Sequence, residues 1–255
     1  MDRKLSIDRI RVSIAKEFLW GRSMSTPACL FVVACAFVLT ASAAIAEPPG
    51  PCGQLVVAAA GEAIAPTDRK KDGPLNHTYP LSNGSGPSGD LVNVVWGDPR
   101  FGAYSTESLN SSCSLIGPQS ASDAWTAHLN VQITRSMGSG LGKTAGAGGE
   151  ISADWFMLRT LPQLTPDNGW KLSAIGTIDA NNASPKCSIQ VNDSTQDLPA
   201  GPVFKFYNNL RGQVGILFRC AQEHTSIFSP ADGSPTPRTT RGTVTYDVTF
   251  TYQQQ

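Results

Sequence analysis

The run Met137–Thr144 (MGSGLGKT) comes closest in this sequence to a ligand-binding motif. A phosphate-binding loop needs a small residue five places before its Gly-Lys-Thr, so that backbone N–H groups wrap the phosphates and a helix follows. Met137 stands at that place, and the Gly-rich Ala145–Glu150 cannot begin a stable helix. The plainer reading is a mobile hairpin loop. Ser88, in Gly86-Pro87-Ser88-Gly89, lacks the second flanking Gly of a nucleophile elbow. Glu150 and Asp154 would share one face of a strand about 13 Å apart, too far for the carboxylate pair of a glycosidase. Asp193 and Asp197 flank a loop and fit Asx turns. His128 falls on the polar side of an alternating segment, the ordinary place for a solvated imidazole.

Metal chemistry finds as little. The three histidines are His77, His128 and His224, and only His224 lies near a cysteine, four residues after Cys220. No C-x-x-C supplies a redox pair or a zinc knuckle. We expect no catalytic residues, no cofactor and no metal, and hence no enzyme. Among the tryptophans, Trp125 falls in register with apolar neighbours and belongs to the core, whereas Trp96 and Trp170 sit beside turns. Those two are the candidate ligand platform, where flat rings could stack on a sugar.

What surrounds these residues points to export. Ala28–Ala46 (ACLFVVACAFVLTASAAIA) carries no charge, follows a stretch of net charge +3, and ends in Ala44-Ile45-Ala46. Small residues at the first and third places before Glu47 define a signal-peptidase site, with cleavage between Ala46 and Glu47. The chain has 255 residues, with 20 Lys+Arg against 20 Asp+Glu, but six bases and three acids leave with residues 1–46. The remainder holds 14 bases and 17 acids, a net charge of −3 with no basic run. That excludes the clustered Lys and Arg a nucleic-acid binder needs. It also leaves no membrane span once the signal is removed.

Four cysteines remain after cleavage: Cys52, Cys113, Cys187 and Cys220. In an oxidising compartment an even number reads as two disulfides. Short loops close most readily, so we expect Cys52–Cys113 and Cys187–Cys220. The protein is expected in the periplasm or outside the cell.

The elements that must position all this are strands. Trp125, Ala127, Leu129, Val131 and Ile133 alternate with Thr126, His128, Asn130, Gln132 and Thr134. Val244, Tyr246, Val248, Phe250 and Tyr252 alternate likewise with Thr243, Thr245, Asp247, Thr249 and Thr251. Period 2 puts each set on one face of a half-buried antiparallel strand. Leu91–Trp96, Ile151–Leu158, Trp170–Ile178, Ser188–Val191, Val203–Tyr207 and Gln213–Arg219 read as shorter strands bounded by Gly, Pro, Asn or Asp. Cys52–Ala60 could start the sheet. Asp167-Asn168-Gly169 reads as a hairpin turn, and Asn83–Asp90, Gly138–Gly149 and Ser229–Arg241 read as loops. About eight short strands, with 24 Gly and 18 Pro, give an all-β fold: an antiparallel β-sandwich with long Gly/Pro-rich loops, with a β-barrel as the alternative. The expected organisation is a signal peptide over 1–46, an irregular segment packed on the main domain over 47–88, and the sandwich over 89–255.

The tail Ala231–Gln253 (ADGSPTPRTTRGTVTYDVTFTYQ) resembles the end of subunits assembled by the chaperone–usher pathway and of related spore-coat-type secreted domains. Gly242, fourteenth from the end, and Tyr252 carry the likeness. The resemblance implies a strand captured by a chaperone and then by a neighbouring subunit through edge-strand addition. Residues and resemblance together give three expectations. The first is an exported, non-enzymatic structural or interaction module of the envelope or extracellular space, monomeric, with an unknown protein or glycan partner. The second is a fimbria-like subunit, and the third a carbohydrate-binding or carbohydrate-active protein.

Overall fold

The computed structural model describes residues 50–65, 68–97, 102–116, 125–140, 145–161, 163, 169–228 and 238–255. The expected leader and its Ala46/Glu47 site lie outside them. Along the chain run β1 (Gln54–Ala65), β2 (Asp68–Pro80), β3 (Gly84–Trp96), β4 (Ala103–Ile116), β5 (Thr126–Ser139) and β6 (Gly146–Thr160). Then come β7 (Trp170–Asn181), β8 (Pro185–Val191), β9 (Ser194–Leu198), β10 (Gly201–Leu210), β11 (Gln213–Phe228) and β12 (Arg238–Gln254). They form two antiparallel sheets of six strands each: sheet 1 in the order β2-β1-β6-β11-β8-β9, and sheet 2 in the order β10-β7-β12-β5-β4-β3. Each sheet keeps two open edges, so the fold is a β-sandwich and the barrel is set aside. Among the described residues no helix is long and apolar enough to cross a membrane.

The two clearest alternations fill the centre of sheet 2. Leu129, Val131 and Ile133 on β5, and Val244, Val248 and Phe250 on β12, are wholly buried. β12 is paired along both sides, to β5 and to β7. The interior aromatic contacts join the sheets: Trp155 of β6 and Phe250 of β12 have ring centroids 4.4 Å apart, and Phe218 of β11 and Tyr246 of β12 are 5.0 Å apart. Burying each such ring contributes roughly 1.5–3 kcal/mol. Trp155 also donates its indole N–H to the Cys52 carbonyl at 2.8 Å.

Both disulfides pair neighbours in sequence order, as expected. Cys52–Cys113 ties the segment entering sheet 1 to β4 of sheet 2, and Cys187–Cys220 joins directly opposed residues of β8 and β11. In the chain-entropy account each is worth about 4 kcal/mol.

Several expectations are corrected. Residues 54–65 and 68–80 are the hairpin β1–β2 rather than an irregular segment, and Gly84–Asp90 belongs to β3 rather than to a loop. β2 (DRKKDGPLNHTYP) is exposed almost throughout. An edge strand with neither face buried shows no alternation, and its Lys and Pro residues suit an edge that must not recruit another chain. Asp90 and Ser85 flank register shifts in the β3–β4 pairing, which the glycines there accommodate. Residues 167 and 168 lie outside the described ones, but no hairpin joins the strands they separate, since β6 and β7 belong to different sheets. β5 and β6 also lie in different sheets, so they form no hairpin with each other. Of the Gly-rich segment between them, Gly138 ends in β5 and Gly146–Gly149 in β6, while 141–144 lie outside the description.

Candidate functional site

Two polar regions stand out, one between the sheets and one on the outer face of sheet 2. The inner one begins with β4, whose inward positions include Ser105 and Glu107, both fully buried. Ser105 donates its hydroxyl to Glu107 Oε1 at 2.9 Å. Arg135 of β5 stands opposite Glu107 in register, and its Nη1 donates to the Gly149 carbonyl at 3.5 Å. Room for the carboxylate comes from a glycine pair on sheet 1, Gly61 opposite Gly149. A Cβ on Gly149 would stand only 1.7 Å from Glu107 Oε1, and one on Gly61 3.0 Å from Oε2. Burial pushes the Glu107 carboxyl up to about 8, against the Ser105 hydrogen bond and the Arg135 charge, with Glu150 adding to the rise. Burial likewise lowers the Arg135 guanidinium. Sealed from solvent, this group is a titrating core element rather than a catalytic acid, which must reach a substrate.

Outside the same glycines lies a hollow of about 330 Å³ lined by Glu62, Lys71, Asp72 and Glu150 among others. Its Glu62 carboxylate is already flanked by Arg69 Nε and Lys71 Nζ, each at 3.6 Å.

The outer face of sheet 2 is a grid of hydroxyl and amide side chains set by the strand register. Gln132, Thr245 and Asp179 form one row across β5, β12 and β7, and Thr134, Thr243 and Asn181 form the next. Within a row, positions on neighbouring strands lie about 4.8 Å apart. With Asn182 and Arg241, five of these residues (Gln132, Thr245, Asp179, Thr243 and Asn181) line a polar pocket of about 430 Å³. Asn182, directly after the last residue of β7, adopts the left-handed φ of 51° that asparagine tolerates.

On the same face His128 Nε2 meets Asp247 Oδ1 at 2.5 Å, and Asn130 donates to Asp247 Oδ2 at 3.3 Å. Ser114 lies opposite His128 in register, so the residue types of a Ser-His-Asp triad stand close together. At His128 and Asp247 the strands are paired on both sides, so their backbone amides are taken up within the sheet. The group reads as a cross-strand polar cluster.

The expected platform does not assemble. Trp170 is only 5% exposed. Trp96 is half-buried at the end of β3, with Lys70 Nζ 5.5 Å from its ring centroid. Register sets the two at opposite ends of sheet 2: Trp170 pairs with Gln254 near the chain's end, while Trp96 pairs with Ala103, in the row region of Gly138 and Thr239. A residue beside a turn is not thereby exposed; Trp170 heads β7 on its inward face. Among the described residues the large exposed aromatics are instead Phe204 (62%) and Phe206 (50%) on the edge strand β10, beside Ile175 (43%) of β7. Val203–Tyr207 was legible as a strand, but its alternation of Phe with Val, Lys and Tyr did not say which face was buried.

No protein-family model matches this chain, and neither a curated protein nor a solved structure matches it.

Proposed function

We propose that the chain is an exported, non-enzymatic, self-contained β-sandwich that acts as an interaction module through the outer face of sheet 2. The observation that carries this reading is the place of β12, held between β5 and β7 with its apolar face wholly buried. A strand so committed completes its own fold and has no edge to offer a neighbour, which argues for a module over a strand-exchanging subunit. Two disulfides suit an oxidising compartment, the periplasm or the extracellular space. The grid of hydroxyls, amides and few charges on the outer face of sheet 2 supplies fixed hydrogen-bonding groups on rigid strands. Fractionation of cells expressing the full chain, with N-terminal sequencing of the released protein, tests the export half of this reading. The expected result is a mature chain beginning at Glu47 outside the cytoplasm. A protein retained inside with its leader uncleaved contradicts it.

A further inference from the structure

We propose that the module's ligand is a neutral oligosaccharide, seated in the pocket of Gln132, Asp179, Asn181, Asn182, Arg241 and Thr245 and extended along β7 to the exposed ring of Phe204. This rests on the reading of the outer face of sheet 2 as a binding surface and adds the ligand's chemical class. The pocket, about 430 Å³, has room for a sugar unit and is lined by polar side chains alone. Its amides and hydroxyls both donate and accept, as a ring of alternating hydroxyls requires. Its one carboxylate, Asp179, and its one guanidinium, Arg241, form no ion pair with each other or with another described residue. Both charges are therefore open to a ligand, and a hydrogen bond to a charged group is the stronger kind. Opposite charges in one pocket select against a strongly anionic or cationic ligand, since either would meet a like charge.

The second half of the site follows from register. Asp179 and Ile175 lie on the same face of β7, four residues and about 13 Å apart. Ile175 stands opposite Phe204 on β10. Phe206 lies one step further on, with Lys171 Nζ 4.7 Å from its ring centroid, which leaves Phe204 as the more open ring. An apolar ring beyond a hydroxyl-binding pocket is the arrangement that a sugar chain fits, polar at its edges and apolar on its C–H faces. The hollow over Gly61 and Gly149 fits less well, because its Glu62 is already balanced by Arg69 and Lys71.

The test uses the full chain, expressed with its leader and purified in mature form. It is applied to a printed array of neutral gluco-, manno-, galacto- and N-acetylglucosamine oligosaccharides, with sialylated and sulfated oligosaccharides as the acidic arm. The expected result is binding to at least one neutral series, stronger for longer chains than for the monosaccharide. Calorimetry with that oligosaccharide should then show about tenfold or greater weakening in Asp179→Ala and in Arg241→Ala. Phe204→Ala should weaken it several-fold for the longer chains and little for the shortest. Both sets of variants sit on the exposed face and should keep the unfolding midpoint of the parent. No binding to any neutral series, binding to the acidic arm alone, or binding untouched by Asp179→Ala and Arg241→Ala would each overturn the proposal. Failure of the underlying module reading would show itself differently, as a protein that polymerises without any sugar present.

Discussion

Val248→Asp should destabilise the protein by at least about 4 kcal/mol, enough to leave much of it unfolded at ordinary temperature. Val248 is fully buried near the middle of β12, on the face that Tyr246 and Phe250 share. Those rings meet Phe218 and Trp155 of sheet 1, so an aspartate there would enter the aromatic layer with no water and no built partner. The neighbouring substitution Asp247→Thr provides the contrast. Asp247 points outward, about half exposed, and loses only its contacts with His128 and Asn130. An exposed pair of that kind contributes at most about 1 kcal/mol. Urea unfolding followed by tryptophan fluorescence measures both. Similar losses for the two variants would mean that β12 is not buried on one face.

The second large effect is in the pH dependence of stability. The Glu107 carboxyl titrates near 8 in the folded protein, against an ordinary value of 4.5, with burial as the main cause. The folded chain thus holds a proton that the unfolded chain has already released. The stabilisation is fully present below about pH 4.5 and is lost as pH rises toward 8, a change of about 4–5 kcal/mol. Asp154 is raised as well, by burial opposed by Arg219, and slopes the same way over its own range. Glu107→Gln keeps the shape of the protonated carboxyl and cannot ionise. It should therefore match the parent near pH 5, exceed it in stability near pH 9, and lose most of the slope between. Denaturant midpoints from pH 5 to 9 decide this. A parent stability that rises across that range, or a slope unchanged in Glu107→Gln, contradicts it.

Glu107 also shows why part of this fold was hidden in the sequence. β5 and β12 were readable over 125–133 and 243–252 because one face meets the interior and the other meets water, so apolar and polar residues alternate there. β4 has the same burial alternation, but its inward positions carry Ser105, Glu107 and Ser111. Hydrophobicity alone cannot see a buried face made of polar residues, so the strand that holds the internal carboxyl went unread. β2 was hidden for the opposite reason, having no buried face at all. The cysteine pairing was legible because order along the chain matched closeness in space. The outer pocket was half legible. Gln132, Thr243 and Thr245 lay on polar faces already assigned, but Asp179 and Arg241 joined them only through the register of β7, β12 and β5, which long-range pairing sets. Trp170 misled because sitting beside a turn says nothing about which face a strand's first residue presents.

On the proposed reading, the mature chain from Glu47 onward completes its own fold. Sedimentation velocity of the mature chain, over a wide concentration range and without any partner, tests it most directly. The expected result is one species with the mass of a single chain. A concentration-dependent ladder of polymers, collapsing to a stable monomer when a peptide of alternating apolar residues is added, would contradict it and put the strand-exchanging subunit in its place.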